Sequence, residues 1–157
     1  MVDISEKAVT AREARAAAEV VMSEAAFAGA AAGDLPKGEL LGVVRLAGII
    51  AAKRTPELVP LCHPLKLTYV DVQAVLDAAL PGVRLEATVK CEEKTGAEME
   101  ALTACAVAGL TAIDMVKALD PWAALQGLRV LSKSGGKSGS RSRPAKPGAR
   151  RRRAAKR

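Results

Sequence analysis

The sequence predicts an α+β protein with helices packed on one face of an antiparallel sheet. Three observations carry this. Residues 69–90 hold two runs that alternate apolar and polar, joined by Asp77-Ala78-Ala79-Leu80-Pro81-Gly82, which reads as an amphipathic hairpin with one wet face. Residues 39–53, with one interior charge, and residues 94–120, with none from Ala101 to Ile113, are long and spaced as helices on either side of that hairpin. A short apolar run, Leu128-Arg129-Val130-Leu131, closes the series as a last strand.

Residues 9–22, VTAREARAAAEVVM, are open between two states. Ala, Arg and Glu favour helix, yet the same residues alternate in a way a strand can use. Ser23 and Glu24 are placed to cap a short helix through Ala32, which Gly33 stops. Pro36-Lys37-Gly38 is a turn. Residues 39–53 follow as a helix with one interior charge, Arg45, and Lys53-Arg54 at its C-terminal dipole. Pro56, Pro60 and Pro64 should then prevent regular structure over a rigid connector, which carries the single histidine, His63. A lone histidine serves structure or acid–base chemistry.

The stretch KTGAEMEALTACAVAGLTAIDMVKALD, residues 94–120, organises the chain. Met99, Leu102, Ala106, Leu110 and Ile113 fall on one helical face, and Thr95 three residues before Glu98 reads as a capping box. No charge occurs from Ala101 to Ile113, so the helix should be buried on most sides. Asp114 and Lys117 then appear as neighbours at its end, each expected to be partly desolvated. They are either a structural ion pair or a lysine of adjustable pKa held by an aspartate at a site.

Half of the 157 residues are hydrophobic, but Trp122, Tyr69 and Phe27 are the only aromatics, so the core must rest on Ala, Val and Leu. The length suits one domain. No run of 18 or more uncharged apolar residues is present, and MVDISEKAVT does not read as a signal peptide. Cys62, Cys91 and Cys105 form no CxxC pair. A reduced, cytoplasmic setting is expected, with neither a disulfide framework nor a metal site.

The net charge of +7 is concentrated at one end. Residues 140–157 hold nine of the 24 Lys/Arg and no acid, which leaves 15 against 17 Asp/Glu, about −2, for the rest. That segment has no large apolar residue and is expected to be a disordered tail, either solubilising or in nonspecific contact with nucleic acid through phosphate. It offers no aromatic for base stacking. Ahead of it, KSGGKSG, residues 133–139, looks like a phosphate loop, but a true P-loop needs glycine where Leu131 stands and a helix afterwards. What remains is Lys133 and Lys137 on glycine-rich backbone, able to close over an anion or simply frayed.

Four stretches together resemble the MoaC family, the cyclic pyranopterin monophosphate synthases of molybdenum-cofactor biosynthesis, over residues 1–139. They are MVDISEKAVTAREA, KGELLGVVRLAGIIAAKRTPELVPLCHPLKLT, KTGAEMEALTACAVAGLTAIDMVKALD and VLSKSGGKSG. Glu93, Ala97 and Ile113 depart from the residues usual there, and none of these departures removes a charged motif residue. The resemblance implies a ferredoxin-like fold for a catalytic domain at 1–139, with residues 10–22 mostly strand. It implies a lyase that converts 3′,8-cyclo-7,8-dihydroguanosine triphosphate to cyclic pyranopterin monophosphate and pyrophosphate. It further implies a homohexamer, a trimer of dimers, with sites between subunits. It says nothing of the tail at 140–157.

By the matching motifs, Lys37, His63, Glu98, Glu100, Asp114 and Lys117 line the implied site. Lys117 partnered by Asp114, with Lys37 sharing, is the expected acid–base group. Glu98 or Glu100 is suited to hold the guanine-derived ring, though inside a helix the two point about 200° apart. A triphosphate needs cations, and Lys7, Arg12, Lys53, Lys133 and Lys137 are the candidates. No resident cofactor is expected, although a divalent cation such as magnesium can accompany the triphosphate. Two rivals stand beside this reading: a nonenzymatic nucleic-acid-binding protein resting on the tail, and a noncatalytic pterin- or nucleotide-binding module.

Overall fold

The structure is a computed structural model that describes residues 1–144. Five antiparallel strands lie in the order β2-β3-β1-β4-β5, and the helices cover one face. The elements are β1 (Thr10–Val21), α1 (Glu24–Ala32), α2 (Leu40–Lys53), α3 (Thr55–Leu58), β2 (Leu67–Asp77), β3 (Gly82–Glu93), α4 (Glu98–Val116), β4 (Ala124–Ser134) and β5 (Arg141–Ser142). Strands one to four and the helices between them make the ferredoxin-like arrangement that the resemblance implied.

The ambiguity at residues 9–22 is resolved by position. β1 is central and bonds to β3 on one side and β4 on the other. A ladder to β3 along its whole length and a second to β4, interrupted by irregularities at Arg15/Ala16 and Ala17/Glu19, bond its backbone and override the helix preference of Ala, Arg and Glu. Its alternation then sorts the side chains. Ala14, Ala16, Ala18 and Val20 face the helices and are at most 1% exposed. Glu13, Arg15 and Glu19 face the other way, into ion pairs with Lys90, Glu86 and Arg84. That is the wet face the hairpin predicted.

Local signals act largely as expected. The Ala26 N–H donates to the Ser23 hydroxyl at 3.3 Å, and Gly33 ends α1 at φ 73°. Glu39 caps α2 by accepting from the Leu41 and Gly42 amides at 2.7 and 2.6 Å. Arg45 leaves the helix interior by donating to the Val72 carbonyl at 3.0 Å. The prolines do not abolish regular structure throughout. α3 forms because Pro56 sits in the first turn, where its missing N–H has no helical partner to lose.

Two expectations about α4 need correction. Thr95 does not cap it: the N-cap is Ala97, without a side-chain bond. Glu98 is the first helical residue and bonds to Lys133, so it does not reach back to Thr95. The buried face also differs. Ala101, Ala104, Cys105, Ala108 and Ala112 are fully buried against the sheet, while Met99 and Leu110 are 39% and 59% exposed. β1 offers alanines, so the middle of the helix approaches with its small residues; Leu102 and Ile113 are only partly buried against the core, while Met99 and Leu110 turn outward. α4 is long and apolar enough to cross a membrane, but 56% of its apolar window is buried within the fold.

The sheet runs past residue 139. β5 pairs Arg141 with Lys133 and Ser142 with Ser132, so residues 141–142 are strand rather than the start of a disordered tail. The expectation of disorder over residues 145–157 lies outside the described residues.

Candidate active site

The predicted site residues gather at the two ends of α4. At its C-terminal end, Asp114 lies in the last turn and Lys117 is the C-cap. Lys117 Nζ stands 2.8 Å from Asp114 Oδ1, and Lys37 Nζ donates to Asp114 Oδ2. Lys37 comes from the turn before α2, where Gly38 takes φ 89°, a left-handed conformation that glycine allows. One carboxylate thus holds two ammonium groups from positions 77 residues apart and three residues apart. The hydrogen bonds from Lys117 and then Lys37 push the Asp114 pKa down to about 2. Desolvation is slight and outweighed by the lysines: the three side chains are 47%, 49% and 59% exposed in the order Lys37, Asp114, Lys117. In one chain this cluster sits on an open surface.

At the N-terminal end, Glu98 and Glu100 diverge as their spacing requires. Glu98 is reached by Lys133 Nζ at 2.6 Å. Glu100 is 1% exposed, its Oε1 accepts from Cys62 Sγ at 3.6 Å, and its Oε2 has no partner among the described residues. Burial, without a cation beside it, pushes the Glu100 carboxyl up from its ordinary range. Burial and then Glu100 push the Cys62 thiol up to about 11. The same sulfur lies 3.7 Å from the carbonyl of His63, so the histidine loop is joined to the first turn of α4. His63 is half-buried in that loop.

The cations of this end differ in how firmly they are held. Arg12 donates to the Glu93 and Lys94 carbonyls at 2.8 and 3.1 Å. Gly136 takes φ 70°, a left-handed conformation that favours glycine, and the turn it makes lies against the Arg12 guanidinium. Lys53, at the end of α2, lines a shallow cavity of about 490 Å³ with Ile49, Leu65, Leu67 and Tyr69. Lys137 is exposed in the glycine turn after β4. Lys7 is exposed on the N-terminal segment, which Lys94 ties down by donating to the Ser5 carbonyl at 2.7 Å. Cys62 was not among the sequence candidates; its place beside His63 was the one signal for it. Among the described residues no group of three or more His, Cys, Asp or Glu is placed to hold a metal ion.

The proton-transfer candidates and the phosphate and ring candidates are therefore separated. From Glu98 to Asp114 is 16 residues of helix, about 24 Å at the rise of an α-helix. α2 runs back alongside, from the Lys37 end to Lys53 at the other.

The MoaC family model matches residues 1–136. The chain belongs to the MoaC family. Similar proteins named cyclic pyranopterin monophosphate synthase are found in distant bacteria. The one from Methylobacterium sp. (strain 4-46) is 56% identical over 140 residues, 89% of this chain and 88% of its own. The one from Nostoc sp. (strain PCC 7120 / SAG 25.82 / UTEX 2576) is 52% identical over 145 residues, 92% and 86%. That from Chloroflexus aurantiacus (strain ATCC 29366 / DSM 635 / J-10-fl) is 51% identical over 144 residues, 92% and 88%. All the site candidates but Lys137 lie inside the matched family region.

Proposed function

We propose that this chain is a cyclic pyranopterin monophosphate synthase, a lyase of molybdenum-cofactor biosynthesis that converts 3′,8-cyclo-7,8-dihydroguanosine triphosphate to cyclic pyranopterin monophosphate and pyrophosphate. Family membership over nearly the whole chain is the observation that carries this. The site chemistry supports it. A triphosphate that ends as a cyclic monophosphate gives up pyrophosphate, a leaving group of high charge. Arg12, Lys53, Lys133 and Lys137 stabilise that charge, and Lys7 can swing in from the N-terminal segment. Glu98, Glu100 and His63 hold the ring system; Glu100, buried and with its Oε2 unpartnered among the described residues, suits a ring N–H. Lys117 and Lys37 transfer protons. Asp114, with its depressed pKa, stays ionised and orients both ammonium groups without taking a proton itself.

A substrate of this size does not span the roughly 24 Å between the two clusters. A complete site then takes Lys37, Asp114 and Lys117 from one chain and the phosphate and ring residues from another. The outward apolar residues Val43, Leu46 and Ile50 of α2 and Met99 and Leu110 of α4 give such an assembly a surface to bury. We assign the assembly as a homohexamer, a trimer of dimers, and the setting as cytoplasmic. No resident cofactor is proposed; magnesium would arrive on the triphosphate. Nonspecific nucleic-acid contact by residues 140–157 rests on their charge alone.

The test is to incubate the purified full chain with the cyclic dihydro-GTP intermediate and measure pyrophosphate and pterin product together. Equal release of both is expected. No product from a folded, assembled protein overturns the assignment and leaves a binding module.

A further inference from the structure

We propose that Arg141 is a further phosphate-binding residue, completing with Arg12 and Lys133 a cationic row for the β- and γ-phosphates of the substrate and for the pyrophosphate product. The inference deepens the proposed activity and rests on it for the identity of the ligand. Its starting point is the turn after β4. Gly135, Gly136 and Gly139 adopt φ values of 91°, 70° and 61°, and the Gly139 amide donates to the Gly136 carbonyl at 3.1 Å. The turn folds the basic extension back along β4, where the Arg143 amide donates to the Leu131 carbonyl at 2.7 Å.

The register then decides which side chains share a face. Arg141 is opposite Lys133, Lys133 is opposite Ala14, and Ala14 follows Arg12 by two residues on β1. Directly opposed residues of an antiparallel pair lie on one face, as do residues two apart in a strand. Ala14 is buried under the helices, so Arg12, Lys133 and Arg141 all stand on the helix side, at the end where α4 begins. Two cations directly opposed across a ladder repel one another. Lys133 has Glu98, whereas among the described residues Arg141 makes no ion pair. Arg12, Lys133 and Arg141 thus share this face with Glu98 as the one carboxylate paired to the row. A polyphosphate placed across the row removes the repulsion, and a guanidinium presents the paired donors that phosphate oxygens accept.

The experiment uses the full chain and compares Arg141→Ala, Arg141→Lys and Arg54→Ala. Arg54 is an exposed arginine on another element, paired with Glu57, so its variant controls for loss of one charge. Tripolyphosphate binding is measured by calorimetry, and KM and kcat with the cyclic dihydro-GTP intermediate. Arg141→Ala is expected to weaken tripolyphosphate binding and raise KM by about tenfold each, with kcat within about twofold. Arg141→Lys should fall between, and Arg54→Ala should match wild type. Tripolyphosphate affinity unchanged in Arg141→Ala, or lowered equally in Arg54→Ala, overturns the inference. An Arg141-dependent tripolyphosphate affinity in a chain without turnover keeps the row and overturns the proposed activity instead.

Discussion

Asp114 and Glu100 show how two carboxylates on one helix take opposite characters. Asp114 is exposed and carries two lysines, so its folded pKa lies below the unfolded one, at about 2. Its contribution to stability is present above the ordinary carboxylate range and is lost as pH falls toward 2. Glu100 is buried without a cation and is shifted upward, so the sign reverses. Its ionised form is disfavoured in the fold, and stability falls as pH rises through the raised pKa. Glu100→Gln should therefore raise the Tm more at about pH 8 than at about pH 5, read by thermal unfolding across that range; a pH-independent difference excludes a buried ionising group. Because the Lys37, Asp114 and Lys117 side chains are half exposed, Lys37→Ala, Asp114→Asn and Lys117→Ala should each leave thermal unfolding near wild type. Turnover should fall by about a hundredfold or more. The Asp114→Asn, Lys117→Ala double variant should be scarcely slower than Lys117→Ala alone, because an orienting group has nothing left to orient. Single-turnover rates that multiply would show two independent contributions.

At the scale of elements, glycine and alanine set the spacing between helices and sheet. A Cβ on Gly48 in α2 would lie 3.0 Å from the Ala104 carbonyl of α4 and 3.1 Å from Val72 Cγ2 of β2. Gly48→Ala gains about 1 kcal/mol of helix propensity. It then wedges a methyl against backbone that cannot step aside, at a cost of about 1–3 kcal/mol. The expected net result is a loss of about 1 kcal/mol in denaturant unfolding, and a stabilised variant would mean that α2 is free to move away from α4. The alanine face of α4 explains why Met99 and Leu110, which share a helical face with the core-packed Leu102 and Ile113, turn outward. Periodicity weights large apolar residues, but which stripe turns inward depends on what the sheet presents, and β1 presents alanine.

At the scale of the molecule, the split between the two ends of α4 predicts complementation. Lys117→Ala keeps the proposed phosphate and ring residues, and Arg12→Ala keeps the proposed proton-transfer cluster. Each should be nearly inactive alone. Mixed at equal amounts after reversible dissociation, they should recover up to about one quarter of wild-type turnover, the fraction of sites that draw an intact half from each chain under two-fold symmetry. No recovery in mixtures proven to exchange subunits would place the whole site within one chain.

The hairpin, the helix at 40–53, the Ser23 and Gly33 caps and the charged motif residues were legible because each is a short-range signal: alternation, helical spacing, a cap or a turn. The family resemblance rested on runs of sequence and needed no contact. The strand state of residues 10–21 was beyond local reading, since it depends on ladders to β3 and β4 made by residues far along the chain. So did the pairing of Glu98 with Lys133 in place of Thr95, and the meeting of Lys37 with Asp114 across 77 residues. The return of Arg141 to Lys133 likewise needed the glycine turn and a free sheet edge. The sequence alone determined which chemistry is available and most of the local structure. Only the tertiary structure decided which charges meet and which helix face is buried, because both depend on surfaces brought together from distant parts of the chain.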